Sequence, residues 1–128
     1  MKLLLDTNAL LSWLGDEERP LGPIASAAIA DPQTIVYVSA VCAWEIAIKT
    51  AQGRLRVPDD LEAQLALVGF VELPVTVADG LVAGALPRHH ADPFDRMLVA
   101  QAQRRALTIV TRDQSFAHYK VAVLYAQN

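Results

Sequence analysis

The strongest constraint on the fold is a set of short apolar runs that never alternate with polar residues: Lys2–Leu5 (KLLL), Thr34–Val38 (TIVYV) and Thr108–Val110 (TIV). A strand with one face in water alternates apolar and polar side chains. A continuous apolar run is covered on both faces, as in a parallel sheet packed between helices. FVELPV (70–75) and VAVL (121–124) are weaker strand candidates, the first ended by Pro74. Helical patterns fill the intervals, over Ala9–Leu14, Ile24–Ala30, Val41–Gln52, Leu61–Val68, Val77–Leu86 and Pro93–Arg105. Strands alternating with helices predict an α/β fold with a central parallel sheet, in which binding groups collect beyond the carboxyl ends of the strands.

No linker, repeat or low-complexity tract interrupts this pattern. A chain of 128 residues, 53% of them hydrophobic, can bury its own core, so we expect one domain spanning 1–128. Fourteen acidic residues against eleven Lys and Arg give a net charge of −3, which excludes bulk attraction to polyanions and restricts any nucleic-acid contact to local cations. The single cysteine, Cys42, lies in an apolar run and reads as a buried structural thiol in a reducing compartment. Asp6 interrupts the N-terminal apolar stretch too early for a secretory signal, and Glu72, Pro74 and Asp79 interrupt the longest apolar region, Leu65–Leu86, so no membrane span is expected. These features predict a cytoplasmic protein.

Four carboxylates sit where a purely structural chain would not need them. Asp6 ends the first strand in the stretch LLLDTN, where Asp6, Thr7 or Asn8 would also serve as a helix N-cap. Glu45 is surrounded by Ala43, Trp44, Ile46, Ala47 and Ile48; the alternative to a functional role is a solvated pair with Lys49 one turn on. In HHADPFDRML, Asp92 before Pro93 fits the N-cap, and Asp95 falls at the third helical position, beside apolar residues and facing the end of the sheet. TIVTRDQSF repeats the opening pattern, a strand ending in Thr111, Arg112 and Asp113, with a turn role open for Asp113. Carboxylates gathered together repel one another unless a cation holds them ionised, and an oxygen-only set without thiolates suits Mg²⁺ or Mn²⁺. The adjacent His89 and His90 cannot share one helix face as ligands and read as a solvated loop.

LLLDTNALLSWL, VSAVCAWEIAIK with GRLRVPDD, HHADPFDRMLVAQA and LTIVTRDQSF, in this order along almost the whole chain, resemble the PIN-domain family, specifically the VapC-type toxins of bacterial toxin–antitoxin pairs. The resemblance implies a three-layer α/β/α sandwich and a metal-dependent endoribonuclease using Mg²⁺ or Mn²⁺. The family's acidic quartet falls on Asp6, Glu45, Asp95 and Asp113, with Asp6 and Asp95 as principal ligands and Thr7, Asn8 and Thr111 orienting ligands or waters. The implied reaction is in-line attack of an activated water on the phosphorus, leaving a 5′-phosphate and a 3′-hydroxyl. Lys49, Arg54, Arg56, Arg88, Arg96 and Arg112 are the candidate RNA contacts. A cognate antitoxin and a homodimer are the implied partners.

Two other classes share parts of the pattern. A haloacid-dehalogenase-like phosphatase also has an aspartate after its first strand, but usually a second one two residues on, where this chain has Asn8. A phospho-accepting receiver domain should carry a lysine after a late strand, where Arg112 and Asp113 stand instead. A PIN fold serving only for binding usually lacks one of the four acids, all of which are present.

Overall fold

The computed structural model describes residues 1–16, 18–57 and 60–128; Pro58 and Asp59 of the GRLRVPDD stretch lie outside the described residues. Five strands, β1 (Lys2–Leu5), β2 (Ile35–Ser39), β3 (Val71–Leu73), β4 (Thr108–Thr111) and β5 (Ala122–Tyr125), form one sheet in the order β3-β2-β1-β4-β5. Every pairing is parallel. The predicted strands are all present, with ends shifted by a residue or two; FVELPV shortens to three residues because Pro74 has no N–H to continue the ladder.

Leu3, Leu4 and Leu5 are each completely buried, although successive side chains in a strand point to opposite faces. Helices therefore cover both sides, and β1 lies at the centre with Leu4 opposite Tyr37 of β2 and Ile109 of β4. These helices are α1 (Thr7–Trp13), α2 (Pro23–Ala30), α3 (Ala40–Ala51), α4 (Leu61–Leu67), α5 (Val77–Ala85) and α6 (Pro93–Arg105). Leu10, Ile46, Leu98, Val99 and Phe116 close over the sheet. Each such side chain contributes about 1.5–3 kcal/mol on burial, so the three leucines of β1 form one of the most stabilising segments of the chain.

The order of strands places the site. From β1 the chain steps outward to β2 and β3 on one side, then crosses back to start β4 on the other, so the direction of winding reverses between β1 and β4. Loops leaving the carboxyl ends of two such strands diverge to opposite faces and leave a crevice between them. Asp6 follows β1 directly, and Arg112 and Asp113 follow β4.

Asp79, which the sequence offered only as an interruption of an apolar stretch, is fully buried between α5 and α6. Thr76 and Asp79 form a reciprocal capping box at the start of α5. The Asp79 carboxylate also accepts hydrogen bonds from Arg105 Nη1 at 2.9 Å and Nη2 at 3.2 Å, and from Arg104 Nη1. Burial alone would raise its pKa, but the Arg105 and Arg104 guanidiniums and the Thr76 N–H hold it well below the usual carboxylate range.

Candidate active site

Each of the four carboxylates is delivered by a local feature of the sequence. Asp6 caps α1, its Oδ1 accepting the Ala9 N–H at 2.8 Å. The cap therefore falls on Asp6 itself and not on Thr7 or Asn8, which are the first residues of the helix. Thr7 instead donates its hydroxyl to Glu45 Oε1 at 2.6 Å, joining α1 to α3. Glu45 is only 8% exposed, so the solvated stripe considered from sequence is not formed. Its other oxygen, Oε2, lies 2.7 Å from Lys49 Nζ, which turns a candidate RNA contact into the counter-charge of the glutamate.

Asp92 caps α6 as expected, its Oδ1 accepting from Phe94 N at 2.8 Å and Asp95 N at 3.3 Å. Pro93, already short of an N–H, occupies the first helical position, which brings Asp95 onto the first turn. Asp113 starts a 3-10 turn over Gln114–His118, its Oδ1 accepting from Ser115 N at 2.8 Å. Thr111 is fully buried, and its Oγ1 accepts the Asp113 N–H at 3.0 Å, which ties the end of β4 to the carboxylate. Asn8 is exposed, and among the described residues no hydrogen bond links its side chain to the acids.

The carboxyl groups act on one another. Asp6 has a raised pKa, chiefly from burial; the Thr111 hydroxyl and the Ala9 N–H oppose the rise, and the charges of Glu45 and Asp113 add to it. Asp95 is pushed up to about 7 by burial first, then by Asp92, Asp6 and Glu45, with His90 opposing. Asp113 lies nearer solvent; the upward effect of its burial is outweighed by Ser115 and His90, and its pKa is lowered. Cys42, next to this cluster, is fully buried with Sγ 3.7 Å from Leu5 O, and burial pushes its thiol up to about 12, an inert structural group.

Among the described residues, ligand-type atoms of His90, Asp95 and Asp113 gather within 4.8 Å of one another, a group that does not include Asp6 or Glu45. This corrects the expectation for His90. Its Nε2 is 2.9 Å from Asp95 Oδ2 and 2.9 Å from Asp113 Oδ2, and its side chain is only 16% exposed. The local spacing offered no sign of this, because Asp113 reaches the loop only through the crossing of β4. His89 is exposed, as expected.

Two of the candidate RNA contacts are structural instead. The Arg96 guanidinium donates to the carbonyls of Ala83 at 2.9 Å, Leu86 at 3.0 Å and Pro87 at 3.1 Å, pinning the connection from α5 to α6. Arg112 donates to the carbonyls of Arg19 and Pro20. Backbone carbonyls at helix ends and in loops lack partners of their own, and a five-donor guanidinium can satisfy several at once. Arg54, Arg56 and Arg88 remain exposed, Arg88 lining a cavity of about 350 Å³ beside His90 and Arg96.

The donor set fits a hard divalent cation. Asp6, buried, and Asp95, half-buried, have raised pKa values and, among the described residues, no arginine partner, the condition in which an added cation gains most.

A PIN domain family model matches residues 3–122. Among solved structures, a chain of VapBC2 from Rickettsia felis, bound to a DNA fragment from its promoter, superposes with a TM-score of 0.71 at 12% identity over 98% of both chains. A chain of FitAcB from Neisseria gonorrhoeae superposes at 0.66 with 26% identity, covering 95% of this chain and 96% of that one. A chain of a toxin–antitoxin complex from Klebsiella pneumoniae reaches 0.64 at 21% identity, covering 95% of each. The 1-deoxy-D-xylulose 5-phosphate reductoisomerase of Xanthomonas oryzae pv. oryzae is 32% identical over 96 residues, which are 69% of this chain; the chain spans 22% of that protein's length. No helix of the structure is long and apolar enough to cross a membrane among the described residues. With a family model matching nearly its whole length, the chain belongs to the PIN-domain family.

Proposed function

We propose that this protein is a divalent-cation-dependent endoribonuclease, the toxin of a type II toxin–antitoxin pair, with Asp6, Glu45, Asp95 and Asp113 as its acidic site. The observation that carries the reading is the concentration of mutually repelling carboxylates at the winding reversal between β1 and β4, where burial and the neighbouring acids push the Asp95 carboxyl up to about 7. Asp6 and Asp95 would hold Mg²⁺ or Mn²⁺, with Asp113 and Glu45 completing the pocket. When bound, the cation supplies activation of water and neutralisation of charge on the phosphodiester. The chain's own residues do the rest. Thr7 fixes the direction of Glu45, Asp92 sets the first turn of α6 so that Asp95 faces the crevice, and Thr111 holds the Asp113 loop. Arg54, Arg56 and Arg88, still exposed, are the cations left to meet RNA phosphates.

The toxin assignment and the antitoxin partner draw on the PIN family match and on the VapBC2 and Klebsiella toxin–antitoxin folds; the homodimer rests on the family resemblance of the sequence alone. The test is cleavage of RNA by the purified chain with Mg²⁺ or Mn²⁺, its loss with EDTA, and its loss in Asp6→Asn with the circular dichroism spectrum unchanged. Release of phosphate from small phosphomonoesters without RNA cleavage would overturn the reading, as would full cleavage by Asp6→Asn.

A further inference from the structure

We infer that His90 is a positioning residue that aligns Asp95 and Asp113 by donating one shared Nε2–H to both carboxylates. The inference rests on the cation-binding reading of the acidic site.

The direction of the hydrogen bond follows from the opposite side of the ring. His90 Nδ1 accepts the Asp92 backbone N–H at 3.2 Å, so this nitrogen presents a lone pair and carries no proton. The neutral imidazole then has its proton on Nε2, and which nitrogen carries it is set by the bond the other one makes. A protonated Nε2 has no lone pair to give a metal. Its position 2.9 Å from both Asp95 Oδ2 and Asp113 Oδ2 is therefore that of a three-centre donor, not of a third ligand.

The ring is held in place without help from the carboxylates. Phe116 packs edge-on against it, with centroids 5.8 Å apart and planes at 69°. The His90 backbone N–H donates to Tyr119 Oη at 2.9 Å, which anchors the loop that carries the ring, and Tyr119 donates in turn to Pro87 O at 2.8 Å. A donor anchored in this way can impose one spacing on two acids that come from separate elements, α6 and the turn after β4, and that otherwise repel. Groups that orient metal-binding carboxylates typically change metal affinity by about 10–100-fold when removed.

The test uses the full chain and Mn²⁺ alone, with affinity read by isothermal titration calorimetry and no RNA present. His90→Ala and His90→Asn should each weaken Mn²⁺ binding by about 10-fold or more. His90→Gln, whose amide nitrogen reaches the place of Nε2, should recover most of it, while the amide of Asn stops near Nδ1. Circular dichroism and thermal midpoints establish that each variant is folded, and the Ala–Gln contrast separates positioning from loss of packing. ¹⁵N spectra of the cation-free wild type should show the proton on Nε2. A proton on Nδ1, or His90→Ala binding Mn²⁺ as tightly as wild type or tighter, would overturn the inference. A wild type that binds no Mn²⁺ would bring down the cation reading instead, and the ring spectrum would still decide whether His90 donates to the acids.

Discussion

Two regions of this molecule bury carboxylates, and they treat them in opposite ways. Asp79, between α5 and α6, is fully enclosed yet has a lowered pKa, because Arg104 and Arg105 meet its oxygens. Asp6, buried after β1, and Asp95, half-buried at the start of α6, have raised pKa values; among the described residues no Lys or Arg meets their oxygens, and neighbouring carboxylates push both upward. A desolvated acid costs several kcal/mol unless a cation or donors offset the loss of water. At Asp79 the chain supplies that cation itself. At Asp6 and Asp95 it does not, the arrangement on which the proposed cation site rests.

The contrast yields four measurements, ordered here by the size of the expected effect. Asp95→Asn should lower RNA cleavage by about 10²–10³-fold, because it removes a charge placed for the reaction, while leaving the cation-free chain as stable as wild type or more so. Asp79→Ala should do the reverse. It should cost about 2–3 kcal/mol in urea unfolding, less than a fully sealed ion pair would because both arginines reach solvent, and leave cleavage per folded molecule unchanged. Equal effects of the two substitutions on stability would break the comparison.

The third measurement is the pH dependence of unfolding in EDTA. The unfolded chain releases the Asp95 proton near pH 3.9 and the folded chain only near 7, so the folded state binds more protons in between. Stability contributed by Asp95 should then fall as pH rises from about 4 to 7. Asp79 has the opposite sign, since its contribution is present above the ordinary carboxylate range and lost as pH drops below it. Saturating Mn²⁺ should flatten the slope between pH 5 and 7, because the bound cation keeps the folded Asp95 deprotonated, as it already is in the unfolded chain. The smallest effect is expected from Thr7→Val, which removes the 2.6 Å hydrogen bond to Glu45 and should cost about 1–2 kcal/mol in unfolding, with a cleavage loss near tenfold.

What could be read in advance was whatever depends on neighbours in sequence. The leucines of β1 and the apolar run of β4 identified central strands, and the carboxylate at the end of each followed from position alone. Asp92-Pro93 marked the start of α6, so Asp95 fell on its first turn. Pairings made across the fold were not readable. Thr76 and Asp79 are spaced as a capping box, but that Arg104 and Arg105 would close over Asp79 depends on how α5 lies along α6. His90 looked solvated because its partner Asp113 comes from beyond β4. Arg96 and Arg112 looked like phosphate contacts because a charge in sequence does not reveal the unpaired carbonyls that await it.

The packing of Trp44 has an optical consequence. Trp44 is 63% exposed on α3, one residue before Glu45, and its ring meets Phe94 edge-on at 5.4 Å, one residue before Asp95. A shift of α6 against α3 that moved Asp95 relative to Glu45 would also move Phe94 against this indole, so we expect its emission to respond to cation binding without an added label. Trp13, tilted against Phe70 at 6.0 Å, supplies the background, and Trp44→Phe isolates it.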